Sequence, residues 1–247
     1  DNINDPITVT VVPVNKGASP IDLVQAQLQS TTTLDITRKF DRVRRLPIYD
    51  NIDKWKGMQF IIIGVGGIGF HVAKSIAQTL DKGDIVLVDK EILEEENLNR
   101  YDVDTAFVGL PKVDVAANII SSLNPLIKVF TYNADFREIK DKLDYDSFTV
   151  IIDEVDSAAI SRIIYNTAVE KKVPYISMKY NGFDSATLYV NTAGFDSGLD
   201  DPYQIFPSAY FSAVIFANLL VYYMFSTTPE NIAKTKLVKN ISLSGMI

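Results

Sequence analysis

Hydrophobic positions in this chain fall into short blocks separated by polar stretches, and from Met58 onward the blocks become regular. MQFIIIG reads as a buried strand. Ile68 to Leu80 reads as a helix, with Ile68, Val72, Ile76 and Leu80 four apart, and DIVLVD as a second strand. Strand, helix and strand in this order make a βαβ unit, because two parallel strands need a long crossover. The alternation continues. Pro111 opens a helix that ends near LNP at Leu123 to Pro125, IKVFTYN is a strand, FREIKDKL a short helix and FTVIID a third core strand. Ser157 to Lys171 is a helix with Ser157 as its cap, and VPYISM and ATLYVN are strands. The pattern predicts an α/β fold with a doubly wound, mainly parallel, Rossmann-like sheet.

The flanks are less regular. Before Met58 the first forty residues hold one strand-like run, ITVTVVPV, and then polar sequence without periodicity, so 1–45 reads as an N-terminal extension and 46–247 as the α/β domain. After a Gly- and Asp-rich loop, Ala193 to Pro202, comes AYFSAVIFANLLVYYMF, Ala209 to Phe225. That stretch is too short for a bilayer core, which takes about 20 apolar residues, and it carries Ser212 and Asn218. It reads as a helix for internal packing or dimer contact, with no membrane span.

Composition narrows the chemistry. The 247 residues carry a formal charge of −7, which argues against nucleic acid as a partner, since phosphate backbones are held by clustered Lys and Arg. The chain contains no cysteine and one histidine, His71, so Cys-based zinc sites, thiolate nucleophiles and histidine-pair metal motifs have no ligands here. The opening DNINDPITVT lacks a basic and apolar leader, giving a cytoplasmic expectation.

The blocks meet chemistry at FIIIGVGGIG, residues 60–69. Gly64, Gly66 and Gly69 satisfy G-x-G-x-x-G between a strand and a helix start, where backbone N–H groups and the helix dipole favour a phosphate; Gly67 adds a further position without a side chain. Asp89 ends the second strand, twenty residues beyond Gly69, where it can accept from ribose hydroxyls. The turn by itself suits NAD or ATP, or tight strand–helix packing. Hydride transfer has no evident machinery, because the lone histidine sits on the helix after the turn.

The segments beyond Asp89 carry a resemblance. The order GxGGxG, Asp89, E-x-x-NLNR, VGLPK, LNP and D-x-x-D-x-x-x-x-x-R in IIDEVDSAAISR is similar to that of the ThiF/MoeB/HesA adenylating family, relatives of the ubiquitin-activating enzymes, from about Phe40 to Phe225. The resemblance implies that ATP activates the C-terminal carboxylate of a ubiquitin-like or sulfur-carrier protein as an acyl-adenylate. It implies further that Gly64, Gly66, Gly67 and Gly69 line the nucleotide, that Asp89 holds ribose, that Asn97, Arg100 and Lys112 contact phosphates, and that Asp156 binds Mg²⁺. KFDRVRRL resembles the family segment whose arginine reaches the other subunit's ATP, which gives that role to Arg42 and implies a homodimer.

Each assignment has a plain alternative. Arg100 and Lys112 can be surface charges, Asp156 a helix cap, Arg42 with Arg44 and Arg45 a solvated basic face, His71 a helix-surface residue, and Glu94 to Glu96 a solvated loop. The chain also departs from the family. It has neither the cysteine that many relatives use for a thioester nor their paired CxxC motifs, so no zinc is expected, and Tyr101 stands where the family usually has Gln. The expected activity is therefore adenylation without a thioester on this chain. The competing expectations are a catalytically silent scaffold subunit that pairs with an active relative, and a nicotinamide-dependent oxidoreductase.

Overall fold

The computed structural model describes residues 36–182, 184–193 and 210–243. The chain divides into two units, Asp1–Leu46 and Pro47–Ile247. In the first, Ile36–Phe40 and Val43–Arg45 are 3-10 turns, and Arg44 pairs with Asp41 at 3.1 Å. ITVTVVPV lies outside the described residues.

The second unit runs through α1 (Tyr49–Asp53), β1 (Gln59–Ile63), α2 (Gly67–Thr79), β2 (Gly83–Val88), α3 (Lys112–Leu123), β3 (Ile127–Tyr132), α4 (Phe136–Ile139) and β4 (Thr149–Asp153). It continues with α5 (Ala158–Lys171), β5 (Tyr175–Gly182), β6 (Ser185–Val190), α6 (Tyr210–Phe225), α7 (Pro229–Lys234) and β7 (Leu237–Ser242). Among the described residues the strands form one seven-stranded sheet, ordered β3-β2-β1-β4-β5-β6-β7. The pairs from β3 across to β5 are parallel, as the sequence predicts; β5–β6 and β6–β7 are antiparallel.

β1 reads as a continuous apolar run because both of its faces are covered. Ile61 and Ile63 join Val86, Val88 and Ile151 in a cluster closed by Phe136 and Ile139 of α4 and Ile164 of α5. Phe60 points the other way, stacking on Trp55 at 6.1 Å, and Trp55 meets Phe225 of α6 edge-on at 5.9 Å. The LNP stretch has a local job: Asn124, fully buried, donates through Nδ2 to the carbonyls of Ala77 (2.6 Å) and Leu80 (2.8 Å). It thereby satisfies carbonyls at the end of α2 that have no partner within the helix.

The uncharged segment is a helix, α6, of 16 residues, about 24 Å long, which is shorter than a bilayer core of about 30 Å. Ser212, Ala213, Phe216, Ala217, Leu220 and Met224 are buried, Asn218 accepts from the Ser75 hydroxyl of α2 at 2.8 Å, and Phe211, Ile215 and Tyr222 remain open. No helix among the described residues is long and apolar enough to cross a membrane. FREIKDKL forms only the four helical residues of α4, and α7 and β7 are elements that the hydrophobic pattern did not announce.

Candidate active site

The chain moves outward from β1 through β2 to β3, then returns to the opposite side of β1 as β4. Ligands in open parallel sheets bind at the carboxyl ends of strands where the order reverses, here those of β1 and β4. β1 delivers the glycine turn to this place, β2 delivers Asp89, and β4 delivers the segment Asp153 to Ser157.

Two glycines are required by space. Gly64 has φ +87°, and a Cβ there would lie 2.6 to 2.7 Å from the backbone of Glu154 and Val155, so the two turns touch main chain to main chain. A Cβ on Gly69 would overlap the Gly64 carbonyl oxygen. Gly66 differs: at the N-cap position of α2 its Cβ would meet nothing within 4 Å, and no side chain caps the helix. The result is an open cradle beside the first N–H groups of α2, where partial positive charge accumulates. Gly67 faces the Arg100 side chain, whose Cδ would lie 3.0 Å from an added Cβ.

Asp89 closes the turn from the β2 side. One of its oxygens accepts from Val65 N–H at 2.7 Å and the other from Glu91 N–H at 2.8 Å, leaving lone pairs for a further donor. Burial lifts its carboxyl above the usual carboxylate range, against the pull of those two amides. Arg100 Nη1 donates to the Glu96 carbonyl (3.1 Å) and to Asn99 Oδ1 (3.0 Å). Lys112, 5% exposed at the start of α3, pairs through Nζ with the half-exposed Glu91 and donates its backbone N–H to the Glu91 carbonyl. Arg100 and Lys112 are thus held in place.

Several residues differ from the plain sequence reading. His71 is not on the helix surface; it is 4% exposed, lies within 2.9 Å of the Arg100 carbonyl through Nε2 and packs edge-on against Phe70 and Tyr210. Anchoring the NLNR backbone requires burying the ring, and burial lowers its pKa. Glu94 to Glu96 lead into a 3-10 turn, Glu95–Asn97, instead of a simple loop. Asn97 is buried there, its Oδ1 accepting from Glu94 N–H at 3.0 Å in a capping box. Tyr101 is buried and stacks on Phe70 at 4.7 Å, with its hydroxyl enclosed and unpartnered.

The third wall is the turn after β4. Asp153 is fully buried; its Oδ2 accepts from the Tyr175 hydroxyl (2.8 Å) and its Oδ1 from Lys179 Nζ (2.9 Å) and Val155 N–H (3.1 Å). Part of Glu154 reaches the surface, yet its Oε1 accepts from Met178 N–H at 3.0 Å and burial raises its carboxyl well above the ordinary range. Asp156 follows, exposed, and Ser157 caps α5 by accepting from Ile160 N–H, so the cap is Ser157 and Asp156 is left open. Lys179, Glu154, Glu91 and the anchoring role of His71 escaped the sequence reading. Lys179 follows directly on VPYISM, the run read as a strand, and the sequence carries no signal for its role.

The groups that converge from three strand ends suit a nucleotide: an uncapped helix start beside an open glycine, a carboxylate with spare lone pairs, two cations and an exposed acid. Among the described residues no three acidic or histidine side chains cluster as a metal site. A single carboxylate is what Mg²⁺ uses when substrate phosphates and water complete its shell, so Asp156 fits a metal that arrives with the nucleotide. Arg42 belongs to the first unit, where it precedes the turn Val43–Arg45.

Comparison with known proteins decides the ancestry. The model of the ThiF family matches residues 38–221, most of the chain. This chain belongs to the ThiF family. It is 28% identical over 130 residues to the molybdopterin-synthase adenylyltransferase of Haemophilus influenzae, a match covering 52% of this chain and 53% of that protein. It is 26% identical over 122 residues to the adenylyltransferase and sulfurtransferase UBA4 of Yarrowia lipolytica, covering 49% of this chain and 31% of that protein. The chain thus spans from about a third to about half of the length of these curated relatives. The fold is similar to that of the crystal structure of E. coli MccB with ATP, at 18% identity and a TM-score of 0.61, covering 77% of this chain and 64% of that one.

Proposed function

We propose that this ThiF-family chain uses ATP to adenylate a carboxylate, the C-terminal glycine of a ubiquitin-like or sulfur-carrier protein, and that its adenylation domain runs from residue 46 to 247. The supporting observation is the open cradle at Gly66, with Asp89 at the end of β2 held by the neighbouring Val65 N–H, Arg100 beside Gly67, and the turn after β4 against Gly64; Lys112 follows in the sequence order of the family, paired with Glu91. The names of the two relatives given above point the same way, each being an adenylyltransferase.

The chemistry asks little of the protein beyond position and charge. A C-terminal carboxylate is already ionised at neutral pH, so no general base is needed. Its oxygen attacks the α-phosphorus as the bond to pyrophosphate breaks, and the leaving group takes the electron pair. ATP supplies the adenylyl group, and Mg²⁺, met by Asp156, would neutralise phosphate charge. Asp89 orients the ribose, the amides around Gly66 hold phosphate, and Arg100 and Lys112 stabilise the charge that develops on pyrophosphate. With no cysteine among the 247 residues, adenylation proceeds without a thioester on them. A second copy would contribute Arg42.

ATP–pyrophosphate exchange tests this reading with small proteins that end in Gly-Gly, each as free carboxylate and as C-terminal amide. Exchange supported by the carboxylate and lost with the amide is the expected result. ATP binding without exchange toward any carboxylate would favour a scaffold subunit.

A further inference from the structure

Lys179 lies on β5, outside every motif that carries the family resemblance. Its ammonium has three oxygen partners: Asp153 Oδ1 at 2.9 Å, the Asp153 carbonyl at 3.1 Å and the Val155 carbonyl at 2.5 Å. An ammonium has three protons, and all three are directed at one turn. That turn is the segment whose backbone presses on Gly64 and whose next residue is Asp156.

We propose that Lys179 is a positioning residue of the nucleotide site: its ammonium gathers the Asp153 and Val155 carbonyls, holds the β4–α5 turn against Gly64, and so fixes where Asp156 meets Mg·ATP. The inference rests on the adenylation reading above. Three features carry it. First, two carbonyls two residues apart aim at the same cation, and this folds the backbone between them onto the glycine turn. Second, the neighbours of Lys179 on β5 do related work: Tyr175 holds the other Asp153 oxygen and Met178 N–H holds Glu154. Third, a buried ion pair is a costly means of stability, often matched or bettered by apolar residues, so its presence here suits a demand for geometry. Without the ammonium, two carbonyls and a carboxylate would face one another with no cation between them, and the turn would open toward the cleft.

The test uses the full chain carrying Lys179→Met together with Asp153→Asn, so that no unpaired buried carboxylate remains, and Lys179→Arg as a second variant that keeps the charge but not the compact three-proton head. Three quantities are measured: hydrogen exchange of the peptide spanning 153–157 without nucleotide, the Mg²⁺ concentration needed for half-maximal ATP binding by calorimetry, and the same Mg²⁺ titration in an Asp156→Ala background. Exchange in the turn is expected to accelerate about tenfold or more, as local opening becomes cheaper. The Mg²⁺ requirement is expected to rise about tenfold, the usual effect of losing a group that orients a ligand residue. In the Asp156→Ala background the added effect should shrink to within about twofold, because a shared route makes the two changes non-additive. Wild-type exchange in the turn, an unchanged Mg²⁺ requirement, or an undiminished shift without Asp156 would each overturn the proposal. A wild-type chain that takes up no ATP would overturn the adenylation reading and this inference together; a wild-type chain that binds Mg·ATP beside variants that bind it identically would overturn this inference alone.

Discussion

Gly66→Ala separates folding from binding at one methyl group. The residue has φ −79° and ψ −160°, an extended conformation open to any L-residue, and its added Cβ would touch nothing within 4 Å. The folded protein should therefore accept the methyl, with a stability change within about 1 kcal/mol and biased toward gain, because alanine leaves the unfolded chain less freedom to lose. On a unit of this size that is a Tm shift of at most about 4 °C. The methyl projects into the cradle beside the first turn of α2, the proposed seat of phosphate. Losing two charge-assisted hydrogen bonds at about 1.5 kcal/mol each removes about 3 kcal/mol, or about 100-fold in affinity. Gly69→Ala supplies the contrast: its Cβ overlaps the Gly64 carbonyl, so the fold itself should lose about 1–3 kcal/mol or more. Thermal unfolding and calorimetric titration with Mg·ATP read both quantities. Gly66→Ala binding ATP within about twofold of wild type would refute the cradle, since a misplaced phosphate is the only way the methyl could be harmless.

Three further outcomes are expected. Lys112→Met should cut ATP–pyrophosphate exchange by about 100-fold or more, the scale of losing one preorganised charge at a transition state, while the unfolding midpoint moves little because its partner Glu91 is largely solvated; equal losses in both would make Lys112 merely structural. Burial raises the Asp89 carboxyl, so on acidification it takes its proton above the ordinary aspartate value of about 3.9 and stops accepting from ribose. Affinity for adenosine, which has no phosphate to titrate, should start to fall above that pH, and an affinity that rises with acid would contradict the assignment. His71 is buried with a lowered pKa, so its contribution to stability is complete above the unfolded value of about 6.5 and is lost as pH falls from there toward the lower folded value. Thermal unfolding of wild type and His71→Gln between about pH 7.5 and about pH 5 should show that slope only in wild type, and parallel curves would place the slope elsewhere.

Much of this was legible in the sequence because period and punctuation act locally. β1, β2 and β4 are apolar runs that both faces of the sheet demand, and each ends where a Gly or Asp must stand, so the strands and their terminal chemistry appear together. Helix α5 starts where the Ser157 hydroxyl can cap it. What could not be read depends on tertiary approach. His71 sits on a helix whose sequence does not reveal that the NLNR backbone will fold over it. The capping box that Asn97 Oδ1 makes with Glu94 N–H likewise shows only once the chain has folded. Lys179 becomes meaningful only when β5 pairs with β4, a contact between segments with a helix between them. The antiparallel direction of β6 and β7 depends on which strand lies beside which, so it had to come from the folded chain.

The central claim is that the glycine turn holds ATP with its metal. Calorimetric titration of the full chain with ATP and with NADH, each with and without Mg²⁺, and repeated on Lys112→Met and Asp156→Ala, tests it most directly. The predicted result is uptake of ATP that strengthens with Mg²⁺, weakens in both variants and has no counterpart for NADH. Binding of NADH without ATP, or ATP binding indifferent to Mg²⁺ and to both substitutions, would contradict it.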